Sequence, residues 1–210
     1  MDIQNNEGIA GIALAIILAG IIITAGVAAS VILGGSDNGT EEDYEQILNE
    51  ALDEISTYIQ IKDMVGKFYS IDGEKRIQRI ALLIKPLFSI DIDVSELTIK
   101  LNNGKQISML YYDGNANFIN VNPLFEHPVW NEQNENNFGF IVILDKDESL
   151  VNHSIINENT DMAYITIKLP EDFELKKGDS MQITLFPSTG ITRTIEIKAP
   201  APVTSIVNLR

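Results

Sequence analysis

The stretch IAGIALAIILAGIIITAGVAASVIL, from Ile9 to Leu33, contains no charged residue, and its only hydroxyls are Thr24 and Ser30. As a helix it would reach roughly 37 Å, at about 1.5 Å per residue, which is enough to cross a bilayer. A secretory signal has a basic start and a shorter apolar core. Here Asp2 and Glu7 precede the run, and the first basic residue of the whole chain is Lys62. Small residues recur every fourth position: Gly11, Ala15 and Ala19; Gly20, Thr24 and Ala28; Gly26, Ser30 and Gly34. Rows at this spacing line single helix faces and let neighbouring backbones approach closely. Because the rows point in several directions, the run reads as a helix that meets several neighbours. A single-span anchor is the plainer alternative, although no aromatic belt flanks the run.

Downstream, Gly34-Gly35-Ser36-Asp37-Asn38-Gly39 is a breaker cluster that predicts a kink or a break near Gly34-Gly35. Thr40 can cap a new helix whose first turn carries Glu41, Glu42 and Asp43. Tyr44, Ile47, Leu48, Ala51, Leu52, Ile55 and Ile59 follow at helical spacing, which predicts an amphipathic helix over 41–59. Beyond it the pattern turns to strands. Ile77, Ile80, Leu82 and Ile84 partly alternate, and Leu97, Ile99 and Leu101 alternate cleanly before an Asn102-Asn103-Gly104 turn. Residues 115–137 are rich in Asn and Pro and read as a loop excursion. Further strands are expected at 138–144, 162–169, 181–186, 191–197 and 203–209, with turns at Lys177-Gly178-Asp179 and Ser188-Thr189-Gly190. The expected fold is α+β: a long N-terminal hydrophobic helix followed by an Ig-like β-sandwich. Its parts are a leader or extension (1–8), the helical region (9–59, with 9–33 as the apolar core) and the outer domain (60–210).

The net charge of −15 lies wholly outside the apolar run. Phosphate binding needs clustered Lys and Arg, so nucleic acid is excluded as a partner class. The chain has no cysteine, hence no disulfide, thiolate metal site or Cys nucleophile. His127 and His153 have no recognisable partner motif, and no phosphate loop, nucleophile elbow or zinc spacing occurs. No catalytic residue, cofactor or metal is therefore assigned, and the chain is read as a non-enzyme. Asp145-Lys146-Asp147-Glu148 and Asp91-Ile92-Asp93 could offer oxygens to a cation such as Ca²⁺, but neither makes a complete calcium loop, and solvated carboxylates at strand ends are the reading preferred. Asn38-Gly39-Thr40 and Asn152-His153-Ser154 are sequons, which makes Asn38 and Asn152 the candidate glycosylation sites.

Gly8 followed by Ile9-Ala10-Gly11-Ile12, with the unbroken apolar run through Leu33, resembles the N-terminus of archaellins, the subunits of the archaeal swimming filament. The wider group is the type IV pilin-like superfamily. Ala13 stands where bacterial type IV pilins usually carry glutamate, which favours an archaellin, and the strand-like stretches 79–86, 94–101 and 139–144 are similar to archaellin outer domains. The resemblance implies cleavage between Gly8 and Ile9 by a prepilin-peptidase-like enzyme, although this acidic leader departs from the usual basic one. It also implies a filament core packed through Gly11, Ile12, Ala15, Ala19, Gly20, Ala25, Gly26 and Ala29. The implied partners are further copies of the chain in a helical polymer, an export platform and a membrane motor, with the membrane as host before assembly. The expected product is a glycosylated, extracellular motility filament. A non-rotating adhesive pilin and a membrane-anchored surface binding module stay open as alternatives.

Overall fold

Ile59–Ile71 (β1) and Glu74–Pro86 (β2) form a long antiparallel hairpin. Its two-residue turn, Asp72-Gly73, has positive φ at both positions (50° and 81°), the geometry that matches the right-handed twist of the flanking strands. The hairpin opens the computed structural model, which describes residues 58–120, 122–188 and 191–209. Nine further strands follow: β3 (Ile92–Asp93), β4 (Thr98–Asn102), β5 (Ile107–Phe118), β6 (Asn137–Leu144), β7 (Ile155–Ile156), β8 (Met162–Lys168), β9 (Ser180–Phe186), β10 (Arg193–Lys198) and β11 (Ile206–Asn208). Two short helices, α1 (Val129–Glu132) and α2 (Ser149–His153), and two 3-10 turns interrupt them.

Nine strands form one sheet in the order β10-β9-β4-β5-β6-β8-β2-β1-β11, and β3 pairs with β7 in a small second sheet. One face of the large sheet is apolar along nearly every strand. Ile80, Leu82 and Ile84 from β2, Ile99 and Leu101 from β4, Phe138 and Phe140 from β6, and Ile183 and Leu185 from β9 enter a single buried core. The sheet curls around this core, so that the Arg193 guanidinium of β10 lies 5.9 Å from the ring of Tyr58, just before β1.

Every pairing is antiparallel except β5–β6. Parallel neighbours cannot be joined by a tight turn and need a crossover. The crossover here lays residues 122–135 over the other face of the sheet as a strap. Phe125, Val129 and Trp130 are buried there against Ala81 and Ile141, forming a second, smaller core. Strands β2 and β6 are therefore apolar on both sides where the strap covers them, which is why the 138–144 stretch reads as continuously apolar.

The expected α+β architecture is corrected in two respects. The described residues are mostly strand, and no helix among them is longer than α2. Instead of an Ig-like pair of sheets, there is one curled nine-stranded sheet. Alternation marks which face of a strand is buried but does not name its partner, so a two-sheet and a one-sheet solution leave the same signature. The helix expected over 41–59 also ends too late, since Tyr58 precedes a strand that begins at Ile59. Residues 9–33 and 41–57, which carry the helix expectation, lie outside the described residues.

Candidate functional site

The strap is held by polar as well as apolar contacts. The Trp130 indole donates to the Leu124 carbonyl at 2.8 Å and stacks on Phe125, with ring centroids 5.5 Å apart. Arg79 of β2 places its guanidinium 5.2 Å from the Trp130 ring and 5.4 Å from that of Tyr69, and donates to the Phe125 carbonyl at 2.8 Å. A cation over aromatic faces is attracted by the ring quadrupole, more so when partly desolvated. At the far end of the strap, Gln133 donates to the Thr166 carbonyl at 3.0 Å and contacts the Thr166 hydroxyl, which donates to Gly139. His127 is buried. Its Nε2 lies 3.1 Å from the Phe118 carbonyl and its Nδ1 accepts from the Val129 amide, so the neutral Nε2–H tautomer fits both contacts. Sequence reasoning placed His127 in an ordinary loop; it is a structural clamp.

The carboxylates singled out as possible cation ligands gather at the corner after β6. Asp145 accepts from the backbone amides of Ser149 (3.2 Å) and Leu150 (3.0 Å) at the start of α2. Asp147 accepts from the Asn157 side chain at 2.8 Å, and Asp161 from the amides of Asn157 (3.1 Å) and Glu158 (2.9 Å). Burial raises the pKa of Asp145 and that of Asp161 above the ordinary carboxylate value, and the negative neighbours add to this. The Asn157 hydrogen bond holds Asp147 down at about 2. These oxygens thus organise backbone at a corner, and among the described residues no group of three His, Cys, Asp or Glu is placed to hold a metal ion. Asp91 precedes β3, and Asp93 lies in β3 opposite Ile155 of β7, beside this corner, where it accepts from the Ser95 amide at 2.8 Å.

A groove of about 420 Å³ opens beside the strap, lined by Tyr69, Arg76, Gln78, Arg79, Lys168 and Glu174 among others. Arg76 is neutralised within it by Glu74 (2.8 Å) and Glu174 (3.5 Å). Among the described residues its lining holds no Ser, Cys or His. Of the residues assigned from sequence, Asn152 alone is described. It sits exposed in α2, its amide donating to Glu148 at 3.4 Å. Gly8, Ile9, Gly11, Ile12, Ala15, Ala19, Gly20, Ala25, Gly26, Ala29 and Asn38 all lie outside the described residues.

Identity comes from whole-chain likeness. The sequence model of archaeal-type flagellins matches residues 8–197. The chain belongs to the archaeal-type flagellin family. As an archaeal flagellin it is a structural subunit of the archaellum filament, a polymer at the cell surface. It is 27% identical over 208 residues to Flagellin B3 of Methanocaldococcus jannaschii, covering 95% of this chain and 93% of that one. Flagellin B3 of Methanococcus voltae is 24% identical over 227 residues, with 94% and 93% covered. The fold is similar to the crystal structure of archaeal flagellin FlaB1 from Methanocaldococcus jannaschii, with a TM-score of 0.61 at 18% identity over 72% of this chain and 95% of that one. It is also similar to the archaeal flagellum of Methanospirillum hungatei, with a TM-score of 0.52 at 14% identity over 94% and 98%.

Proposed function

We propose that this flagellin polymerises through its apolar run, residues 9–33, after removal of residues 1–8 between Gly8 and Ile9, and that the resulting filament is turned from its base for swimming. The observation that carries this reading is where the family match begins: at Gly8, the residue immediately before the run. Run and outer domain therefore belong to one family unit. In this reading the run is held in the membrane before assembly, where an unpaired backbone group would cost several kcal/mol, and then exchanges lipid for the runs of other copies. Gly11, Ile12, Ala15, Ala19, Gly20, Ala25, Gly26 and Ala29 provide the close approach. Burial of apolar surface contributes roughly 25 cal/mol per Å², which keeps the core associated in water. The outer domain, residues 60–210, forms the sheath and carries a glycan on Asn152, with a second glycan on Asn38 ahead of that domain. A prepilin-peptidase-like enzyme, an export platform and a membrane motor are the partners, and the subunit performs no catalysis.

Electron microscopy of cells with and without the gene, paired with a swimming assay, tests the reading. Loss of both filaments and motility is expected; filaments lost with swimming intact would mean an adhesive pilus instead. Intact-mass spectrometry of purified filaments tests the cut, and a subunit that retains Met1 refutes it. Peptide mapping that finds Asn152 bare would remove the glycan there.

A further inference from the structure

Strands β1, β2 and β8 lie side by side, and their register sets three cations in one row. Lys67 of β1 is paired with Arg79 of β2, and Arg79 in turn with Lys168 of β8. Directly opposed residues point to the same face of a sheet, with Cβ atoms about 4.5–5.5 Å apart, and like charges placed so are destabilising. All three are half-buried, so solvent and salt screen them only in part. A chain with 30 acidic and 15 basic residues has ample means to neutralise such a row. It does so at one end only. Lys67 lies 3.9 Å from a Glu126 carboxylate oxygen, and the next cation along β2, Arg76, is held by Glu74 and Glu174. Among the described residues no carboxylate forms an ion pair with Arg79 or Lys168.

Both of these cations line the groove beside the strap. The rings of Tyr69 and Trp130 fix the Arg79 guanidinium, and one of its N–H groups donates to the Phe125 carbonyl. A guanidinium carries five such donors and an ammonium three, so most of the donors of this pair have no partner among the described residues. The groove also has carboxylates. Asp72, Glu135 and Glu171 are exposed, whereas Arg79 and Lys168 are half-buried, so the negative charge stands at the rim and the positive charge lies deeper. Glu174 is already engaged by Arg76.

We propose that Arg79 and Lys168 bind a small oxyanion of the phosphate or sulfate class in this groove. The planar guanidinium offers parallel N–H donors to two oxygens of the ligand, and the lysine adds a point charge. Charge-assisted bonds of this kind are the strong ones. An anion between the two cations also turns their repulsion into attraction, which accounts for a like-charged pair kept without a carboxylate. The exposed carboxylates select by size. They repel a polyanion, while a groove of about 420 Å³ admits a phosphate, a sulfate or a small monoester. This site goes beyond the polymer reading and does not depend on it.

The test is isothermal titration calorimetry on the full-length chain in detergent, with inorganic phosphate as the probe and sodium chloride at the same ionic strength as the blank. Saturable binding of phosphate is expected. Lys168→Met keeps the apolar stem and removes the charge, and should weaken that binding at least tenfold. In chloride the same variant should melt at or above the parent, because a repulsive neighbour is gone. A lysine with a merely structural role would do the reverse, lowering Tm in chloride and leaving phosphate binding intact. Either of those results overturns the proposal, as does a parent chain that takes up no more phosphate than chloride. Should Lys168→Met fail to fold, Lys168→Gln is measured in its place and the same outcomes decide. Glycerol 1-phosphate is the second probe: tighter binding than phosphate assigns the site to a phosphate monoester, and equal or weaker binding to the free oxyanion.

Discussion

Gly139 sits in β6 where its neighbour leaves no room for a side chain, and Gly139→Ala gives a worked test of the parallel pair. A Cβ built there would lie 2.7 Å from the backbone carbonyl oxygen of Asn115 in β5 and 3.1 Å from Nε2 of Gln133. Ordinary contact begins near 3.4 Å, so β5 and β6 would have to part by about 0.7 Å. Because the nearest atom is backbone, no rotamer change relieves it, and overpacking of this kind costs about 1–3 kcal/mol. Displacing Gln133 also costs its bond to the Thr166 carbonyl, about 0.5–1.5 kcal/mol. Against this, alanine restricts the unfolded chain and returns about 0.4–1 kcal/mol. The net loss is about 2 kcal/mol, which for a chain of this length lowers Tm by about 4–8 °C. The single tryptophan, Trp130, lies in the strap that Gln133 ties down, so its fluorescence during a thermal melt is the assay. A variant that melts with or above the parent would refute the claim that close strand approach fixes this glycine.

Further outcomes follow from the strap and the acidic corner. Trp130→Ala should cost about 3–5 kcal/mol and open residues 122–135 to limited proteolysis, read by the mass of the fragments. Arg79→Lys keeps the charge but loses the planar stacking between Tyr69 and Trp130 and the bond to Phe125. A loss of about 1 kcal/mol, measured by urea unfolding, is expected, with the β-sheet signal in circular dichroism unchanged. Asp161 has a raised folded pKa, so its contribution is fully present below the ordinary carboxylate value and is lost as pH rises through the folded one. Asp161→Asn should therefore gain stability relative to the parent as pH rises from 4 to about 7, seen as a rise in the variant's Tm minus the parent's; a fall in that signed difference would contradict this. Asp147 acts with the opposite sign. Its contribution is present above the ordinary value and falls away as pH drops toward about 2, so Asp147→Asn should be costly at neutral pH and neutral in strong acid.

Much of the sheet was legible because alternation is a local property. The stretches 97–101, 162–169 and 181–186 each became a strand near the expected place, and Asn102-Asn103-Gly104 turns between β4 and β5 as read. The Ser188-Thr189-Gly190 turn falls partly outside the described residues. Of the opening hairpin, β2 was legible in Ile77, Ile80, Leu82 and Ile84, whereas β1 and the Asp72-Gly73 turn were not, because Gly66 and the charges of β1 dilute its alternation. The strap was missed for a different reason. Asn- and Pro-rich composition correctly indicates irregular backbone, but Leu124, Phe125, Val129 and Trp130 within it were the sign of a chain that must bury something. Pairing order was not legible at all, since it depends on which distant segments meet. At the acidic corner, the sequence showed which oxygens were available but not that backbone amides already occupy them.

The first and last strands lie side by side: Val65 of β1 is paired with Asn208 of β11. A sheet made this way cannot be completed until β11 is available, because β11 is the outer neighbour of the hairpin β1–β2. Loop closure over such a span is slow compared with local pairing. During synthesis the hairpin β1–β2 therefore waits with its outer edge open until β11 has emerged. A chain cut before Ile206 would lack this edge strand, so the fold itself distinguishes subunits that carry β11 from those that do not.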